Sequence, residues 1–264
     1  MNKVIRAEFG RTINAGLIIA IAGIIFSICF DSFNDLIAGL RNGQGYVGYF
    51  FSNAAFGGMC THYMLPVFTA LPFSVSLCQE RNNKAVSYIV SREGKNRYIF
   101  AKFIVSVISG GFVAACGTVL LFLMLAMRFP IAGDEFEGAV VSDYFHEWSA
   151  VYYPQLYILT LSILAFCRGV IWSSLALCVS LYTSDFMVVF LSPFLGSYVL
   201  VRIFQIIRVP DMVRPDMILI GQVVIKSSGL TLIIAIAISL TIVTLIGAFF
   251  VGKMKEGLKS GTIY

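Results

Sequence analysis

The chain lacks the motifs that a catalytic or redox protein displays. No GxxxxGK(S/T) loop, HExxH pair or GxSxG turn occurs in its 264 residues, so phosphate-cradling, zinc-dependent and serine-nucleophile chemistry have no motif to rest on. Histidine is scarce, with two in all, and the six cysteines (Cys29, Cys60, Cys78, Cys116, Cys167 and Cys178) form no CxxC pair and no Cys/His cluster. Each lies in or at the end of an apolar run, where a thiol behaves as a small buried hydrophobe, and no metal site is expected. Charge is scarce too, at 12% of residues. No Asp or Glu falls inside a predicted span, whereas a carrier driven by protons or sodium needs ionisable groups at depth.

What is present is apolar. A hydrophobic share of 58% and a mean hydropathy of +0.87 place the chain with integral membrane proteins. Residues 1–13 set Val4, Ile5 and Phe9 against Lys3, Arg6 and Arg11, the pattern of a helix lying in the headgroup region. A secretory signal is the rival reading, but no small-x-small cleavage site follows the run Ala15 to Phe30, and the first span is read as retained.

Hydropathy predicts six spans, at 14–30, 56–78, 98–129, 155–181, 186–207 and 229–251. Pro66 and Pro72 break or kink the second. The polar turn Tyr182 to Asp185 makes the fourth and fifth an antiparallel hairpin. In the third, Ser106, Gly110 and Ala114 recur every fourth residue, and small side chains at that spacing let another helix approach closely. Residues 130–154 read as an acidic outer loop, 208–228 as a polar re-entrant-like segment and 252–264 as a basic tail. The expected fold class is all-α integral membrane, a single transmembrane domain over 1–264 with six transmembrane helices and an N-terminal interfacial helix.

Basic residues orient it. With the N-terminus inside, twelve of nineteen Lys and Arg fall in inner segments and six in outer ones, with Arg168 left at mid-span. Both termini are therefore expected in the cytosol, and the retained basic N-terminus fits a bacterial cytoplasmic membrane. The net charge of +5 belongs to that inner face and gives no reason to expect a nucleic-acid partner.

Six of the basic residues crowd into Gln79 to Lys102, QERNNKAVSYIVSREGKNRYIFAK, between two apolar runs. The loop is expected over 79–97. Asn83 to Ile89 reads as a short helix, with Ala85, Val86 and Ile89 at helical spacing and Lys84 and Arg92 at its ends. One reading makes it a solvated loop whose charges fix topology. The other makes it a device that docks on a partner, since topology alone has no use for the apolar Val86, Tyr88 and Ile89.

The interfacial helix, six spans, basic loop between spans two and three and polar segment before span six resemble the ABC-2 type transporter permease family, of the type V exporter-like architecture. Glu80 and Arg81 followed by SREGKNRYIFAK (Ser91 to Lys102) are similar to that family's acidic-basic pair, Ser-Arg and Tyr-to-Lys spacing. Lys84 and Ala85 stand where the family commonly has Gly-Thr. The resemblance implies a non-enzymatic transmembrane subunit of an ATP-driven exporter. It would pair with a second permease copy or a homologous permease and engage two cytosolic ABC ATPase subunits. Those subunits, not this chain, would bind ATP and Mg. Glu80, Arg81, Lys84, Val86, Tyr88, Ile89 and Arg92 would then couple the chain to the ATPase. The cargo implied is hydrophobic or amphipathic: a peptide or antimicrobial peptide, a drug or a lipid. The alternative is a non-transporting membrane sensor or assembly subunit that binds a cytosolic partner.

Arg168 stands out because a mid-bilayer arginine costs about 2.5 to 3.5 kcal/mol. Either it faces a path and binds an anionic or carbonyl-rich cargo, or it bonds backbone carbonyls at the kinks near Pro66 or Pro193, or snorkels. Thr61, His62 and Tyr63 lie just before Pro66 and line such a path at the dimer centre, or serve in packing.

Overall fold

In lipid a backbone has no hydrogen-bond partner but itself, which favours helix wherever the sequence is apolar. The computed structural model describes residues 2–42, 47, 50, 58–131, 153–223 and 225–260, and among these it contains α-helices and one 3₁₀ turn but no strand. The helices are α1 Asn2–Thr12, α2 Ala15–Asp31, α3 Phe33–Asn42, α4 Met59–Ala70, α5 Ser76–Asn82, α6 Ala85–Glu93, α7 Lys95–Ala126, α8 Pro154–Val179, α9 Phe186–Ile207, α10 Pro215–Ile220 and α11 Ser228–Ser260. The acidic loop with Asp134, Glu135, Glu137, Asp143 and Glu147, and the expected start of the second span at 56–57, lie outside the described residues.

Among the described residues four helices are long and apolar enough to cross a membrane: α7, α8, α9 and α11. A fifth span is formed if α1 and α2, bent by 57° at their junction, count as one. The second expected span, 56–78, is not one helix: α4 stops at Ala70, and the turn Leu71–Val75, which holds Pro72, separates it from α5. The physical reason is Pro72, which has no N–H to continue the ladder. Two other boundaries move. The third span starts at Lys95, inside the segment read as loop, and the tail after residue 251 continues as helix to Ser260.

The core is organised on α8, which packs along α7 and also touches α4, α9, α10 and α11. Close approach is what the small residues supply. A Cβ on Gly169 would lie 2.5 Å from the Gly110 carbonyl oxygen, so the two backbones meet directly. Ser106 and Ala114, one turn to either side of Gly110, are fully buried, and the Ser106 hydroxyl lies 2.9 Å from that of Ser74 in the broken segment. Ser74 also donates to the Ser173 carbonyl at 3.0 Å. The break after α4 is thus pinned to both α7 and α8.

Helix starts are capped across the fold as well as locally. Gly58 offers α4 no side-chain cap. Instead the Asp31 carboxylate, at the end of α2, accepts from the Cys60 and Thr61 amides at 2.9 and 2.6 Å, satisfying donors that the first turn leaves free. Asp185 caps α9 within its own turn, accepting from the Met187 amide at 2.8 Å. Pro193 removes the donor that would pair with the Val189 carbonyl, and the Ser192 hydroxyl donates there at 2.8 Å.

Candidate functional site

Two places concentrate chemistry, one by the C-terminal end of α8 and one at its middle. The first is the end where α1, α5, α6 and the C-terminal part of α11 gather. Lys84 turns the chain into α6 with a left-handed backbone, φ 52°. Gly94, at φ 87°, ends α6 and starts α7 at once, a conformation that glycine reaches without strain. Between these corners α6 lays Val86 and Val90 onto Leu77, Tyr98, Ile99, Met254 and Leu258, and Ile89 packs at the edge of the same cluster. The opposite face, Ser87, Tyr88, Ser91 and Arg92, is exposed, with Tyr88 at 69%. Lys84, just before α6, and Lys95 and Arg97, in the first turn of α7, are exposed as well.

Beneath α6 lies a buried charge cluster. Lys102 is fully enclosed and donates to Glu80 Oε1 at 2.6 Å and to Glu8 Oε2 at 3.5 Å. Arg11 also reaches Glu80 Oε1, at 2.9 Å, and the Tyr98 hydroxyl donates to Oε2 at 2.5 Å. The Lys102 ammonium sits 4.7 Å from the centre of the Phe73 ring, a cation–π contact that adds to its compensation. One carboxylate therefore ties α5 to α1 and to α7. Arg81 binds in a third direction, donating to the Ser180 and Leu181 carbonyls at 2.8 and 3.2 Å in the turn between α8 and α9. Asn82 donates to the Ser184 carbonyl at 3.1 Å.

The seven residues expected to meet a partner therefore divide. Glu80, Arg81 and Val86 face inward and hold the fold together; Ile89 is half-buried; Lys84, Tyr88 and Arg92 face out. The physical reason is that α6 is too short to present its apolar stripe anywhere but onto the bundle. Sequence reasoning missed Glu8, Arg11, Tyr98 and Lys102. Their signal was opposite charge, Glu80 and Lys102, at the inner ends of two adjacent apolar stretches, where a lone charge is expensive.

The second place surrounds Arg168, buried on α8 at 7% exposure. Its Nη2 donates to the carbonyls of Thr61 and His62, both at 3.3 Å. Pro66 explains the second bond: lacking an N–H, it leaves the His62 carbonyl, four residues earlier, without its helical partner. Both bonds are long for N–H···O contacts, and no carboxylate of the described residues lies within ion-pair range of the guanidinium. The Thr61 hydroxyl is buried with no hydrogen-bond partner among the described residues. His62 and Tyr63 meet edge to face with centroids 4.7 Å apart, and Tyr63 approaches Phe194 and Tyr198 of α9. The structure thus brings Thr61, His62, Tyr63 and Arg168 together.

A cavity of about 160 Å³ opens beside Arg168, between α8, α9, α10 and α11, walled chiefly by apolar side chains with His62 and Asp216 at its polar end. A second, of about 330 Å³, shares Arg168, His62, Val201, Asp216 and Ile220 with it and adds Gln205, Arg214 and Gln222. Asp216 is already engaged: Arg214 binds it through Nη2 at 2.7 Å and Nε at 3.3 Å. The hydrogen bond to Asp216 pushes the Arg214 guanidinium above its ordinary pKa. Among the described residues no group of three His, Cys, Asp or Glu stands together to hold a metal ion. Comparisons with protein-family models, with curated proteins and with solved structures found no match for the chain.

Proposed function

We propose that the chain is the transmembrane permease subunit of an ATP-driven exporter of the ABC-2 type, moving a hydrophobic or amphipathic cargo across a bacterial cytoplasmic membrane. The energy comes from two separate ABC ATPase subunits carrying ATP and Mg. A second permease copy or a homologous permease completes the path, and both termini lie in the cytosol.

The observation that carries this reading is the two-sidedness of α6. Its inward face is fixed to α5, α7 and α11, and its outward face combines an exposed tyrosine with flanking cations. A force applied to Tyr88 and Arg92 would pass through Val86 and Val90 into α7 and α11 without a flexible joint. That is the mechanical requirement of a coupling helix, and a loop serving only topology has no need of it.

The test is affinity purification of the tagged chain in mild detergent, mass spectrometry of what remains bound, and an ATPase assay. Recovery of a nucleotide-binding ATPase at one per permease supports export. Recovery of a non-ATPase cytosolic partner instead replaces this reading with the sensor or assembly subunit.

A further inference from the structure

The cavity beside Arg168 has the form of a slot. On α8 the wall runs Arg168, Ile171, Trp172 and Leu175, spacings of three and four that fall on one helical face over roughly 10 Å. From the other side α9 contributes Gly196, Ser197, Leu200 and Val201, and α11 closes the apolar end with Ile242 and Ile246. Because α8 and α9 form a hairpin, Val201 stands near Arg168 and Gly196 near Trp172, whose Cζ3 would be 3.0 Å from a Cβ on Gly196. Polarity is therefore graded along the slot. One end holds a guanidinium, His62 and Asp216; the other holds only hydrocarbon and the indole.

The guanidinium is not used up. Only Nη2 makes hydrogen bonds among the described residues, to neutral carbonyls at 3.3 Å, so Nε and Nη1 keep donors to offer. Asp216 does not neutralise it, because both its oxygens are engaged by Arg214. A buried cation at the head of an apolar slot is complementary to one chemistry: an anionic headgroup on a single hydrocarbon chain.

We infer that this slot is a binding site for a single-chain anionic amphiphile, its head on Arg168 and its tail running past Trp172 toward Leu175 and Ile246. As an assignment of cargo class it rests on the exporter reading, but binding by the isolated chain requires no ATPase.

Trp172 is a reporter inside the slot. The chain has one other tryptophan, Trp148, which Trp148→Phe removes. In nanodiscs of phosphatidylcholine, at about pH 9 so that interfacial desolvation does not protonate the probe, dibromostearate is titrated against Trp172 fluorescence. The expected result is saturable quenching, with the uncharged methyl ester binding about tenfold or more weakly, in line with the loss of one charge-assisted hydrogen bond. Arg168→Gln, which keeps an amide donor for the Thr61 and His62 carbonyls, is expected to erase the difference between acid and ester. Gly196→Val, filling the slot against Trp172, is expected to abolish saturation for both. Equal binding of acid and ester by the Trp148→Phe protein, or non-saturable quenching by both, overturns the inference without needing any Arg168 variant to fold. Saturable acid-selective binding without recovery of an ATPase leaves the site in place and removes the exporter; an ATPase recovered without such binding does the reverse.

Discussion

Lys102 and Glu80 meet at 2.6 Å in a site that encloses the lysine completely. With Glu8 and Arg11 the cluster contains two cations and two anions, so it is neutral as a unit and its members depend on one another. Isolated burial of either charge costs several kcal/mol, and the pair is tolerable only while both remain.

Removing one partner is therefore expected to be far worse than removing both. Glu80→Ala leaves Lys102 enclosed with the 3.5 Å contact to Glu8 and the Phe73 ring in place of a close carboxylate, and a loss of about 3 to 5 kcal/mol is expected. Glu80→Gln combined with Lys102→Met is expected to recover most of it. Fluorescence-detected thermal unfolding in detergent measures both; a double variant no better than Glu80→Ala would show that the pair is not what holds α5 to α7.

On α6, position decides outcome. Val86→Asp puts a charge among Tyr98, Ile99 and Met254 and is expected to destabilise the chain by about 3 kcal/mol or more. Tyr88→Ala with Arg92→Glu is expected to leave the melting temperature within about a degree, because both side chains are exposed. The same double variant is expected to abolish ATPase stimulation on the co-purified complex. Stimulation retained at the wild-type level removes α6 from the coupling role.

Glycines at close approach and glycines in open space should respond oppositely. Gly169→Ala drives a methyl into the Gly110 carbonyl, backbone against backbone, and a loss of about 1 to 3 kcal/mol is expected. Gly10→Ala and Gly252→Ala meet nothing within 4 Å and sit inside helices, so a gain of about 0.4 to 1 kcal/mol each is expected. Thermal unfolding of the three single variants distinguishes them.

Asp31 is expected to act as the start signal of α4. Asp31→Ala frees the Cys60 and Thr61 amides and should cost about 1 to 2 kcal/mol. Asp31→Asn keeps one acceptor oxygen and should fall between. Hydrogen exchange at those two amides reads the effect directly; unchanged protection in Asp31→Ala would mean that another group caps the helix.

The long helices were legible because hydropathy over twenty residues reports environment without needing tertiary detail. α7, α8 and α9 lie within about three residues of their expected ranges, α11 begins one residue before its own, and the α8–α9 turn at Tyr182 follows from its polar run. Less was legible near Pro72, where the sequence allowed either a kink or a break and only the bonds of Ser74 to α7 and α8 decide for a break. The tail beyond residue 251 reads as polar, yet Met254 and Leu258 occur one turn apart and are buried under α6. The charged island gave the least. Composition marks Gln79 to Lys102 as charged throughout, but cannot tell Arg92, which faces out, from Lys102, which is sealed among Glu80, Glu8 and Phe73. At Arg168 the sequence left two readings open; the bond of Nη2 to the His62 carbonyl repairs the gap left by Pro66, and the residue also lines the cavity, a conjunction that composition does not display.

α11 runs unbroken for 33 residues, about 50 Å at 1.5 Å per residue, against roughly 30 Å of hydrocarbon. If α11 crosses the bilayer along its apolar part, about 20 Å of it would project beyond the oily layer, and its basic C-terminal turns carry Met254 and Leu258. A helix of that length would act as a boom in the membrane: a thicker or thinner bilayer would change its inclination, and each degree would swing the overhanging end sideways. α6 rests on that end. With α11 across a bilayer, lipid thickness would therefore be geared to the attitude of α6, the short helix that carries the exposed Tyr88.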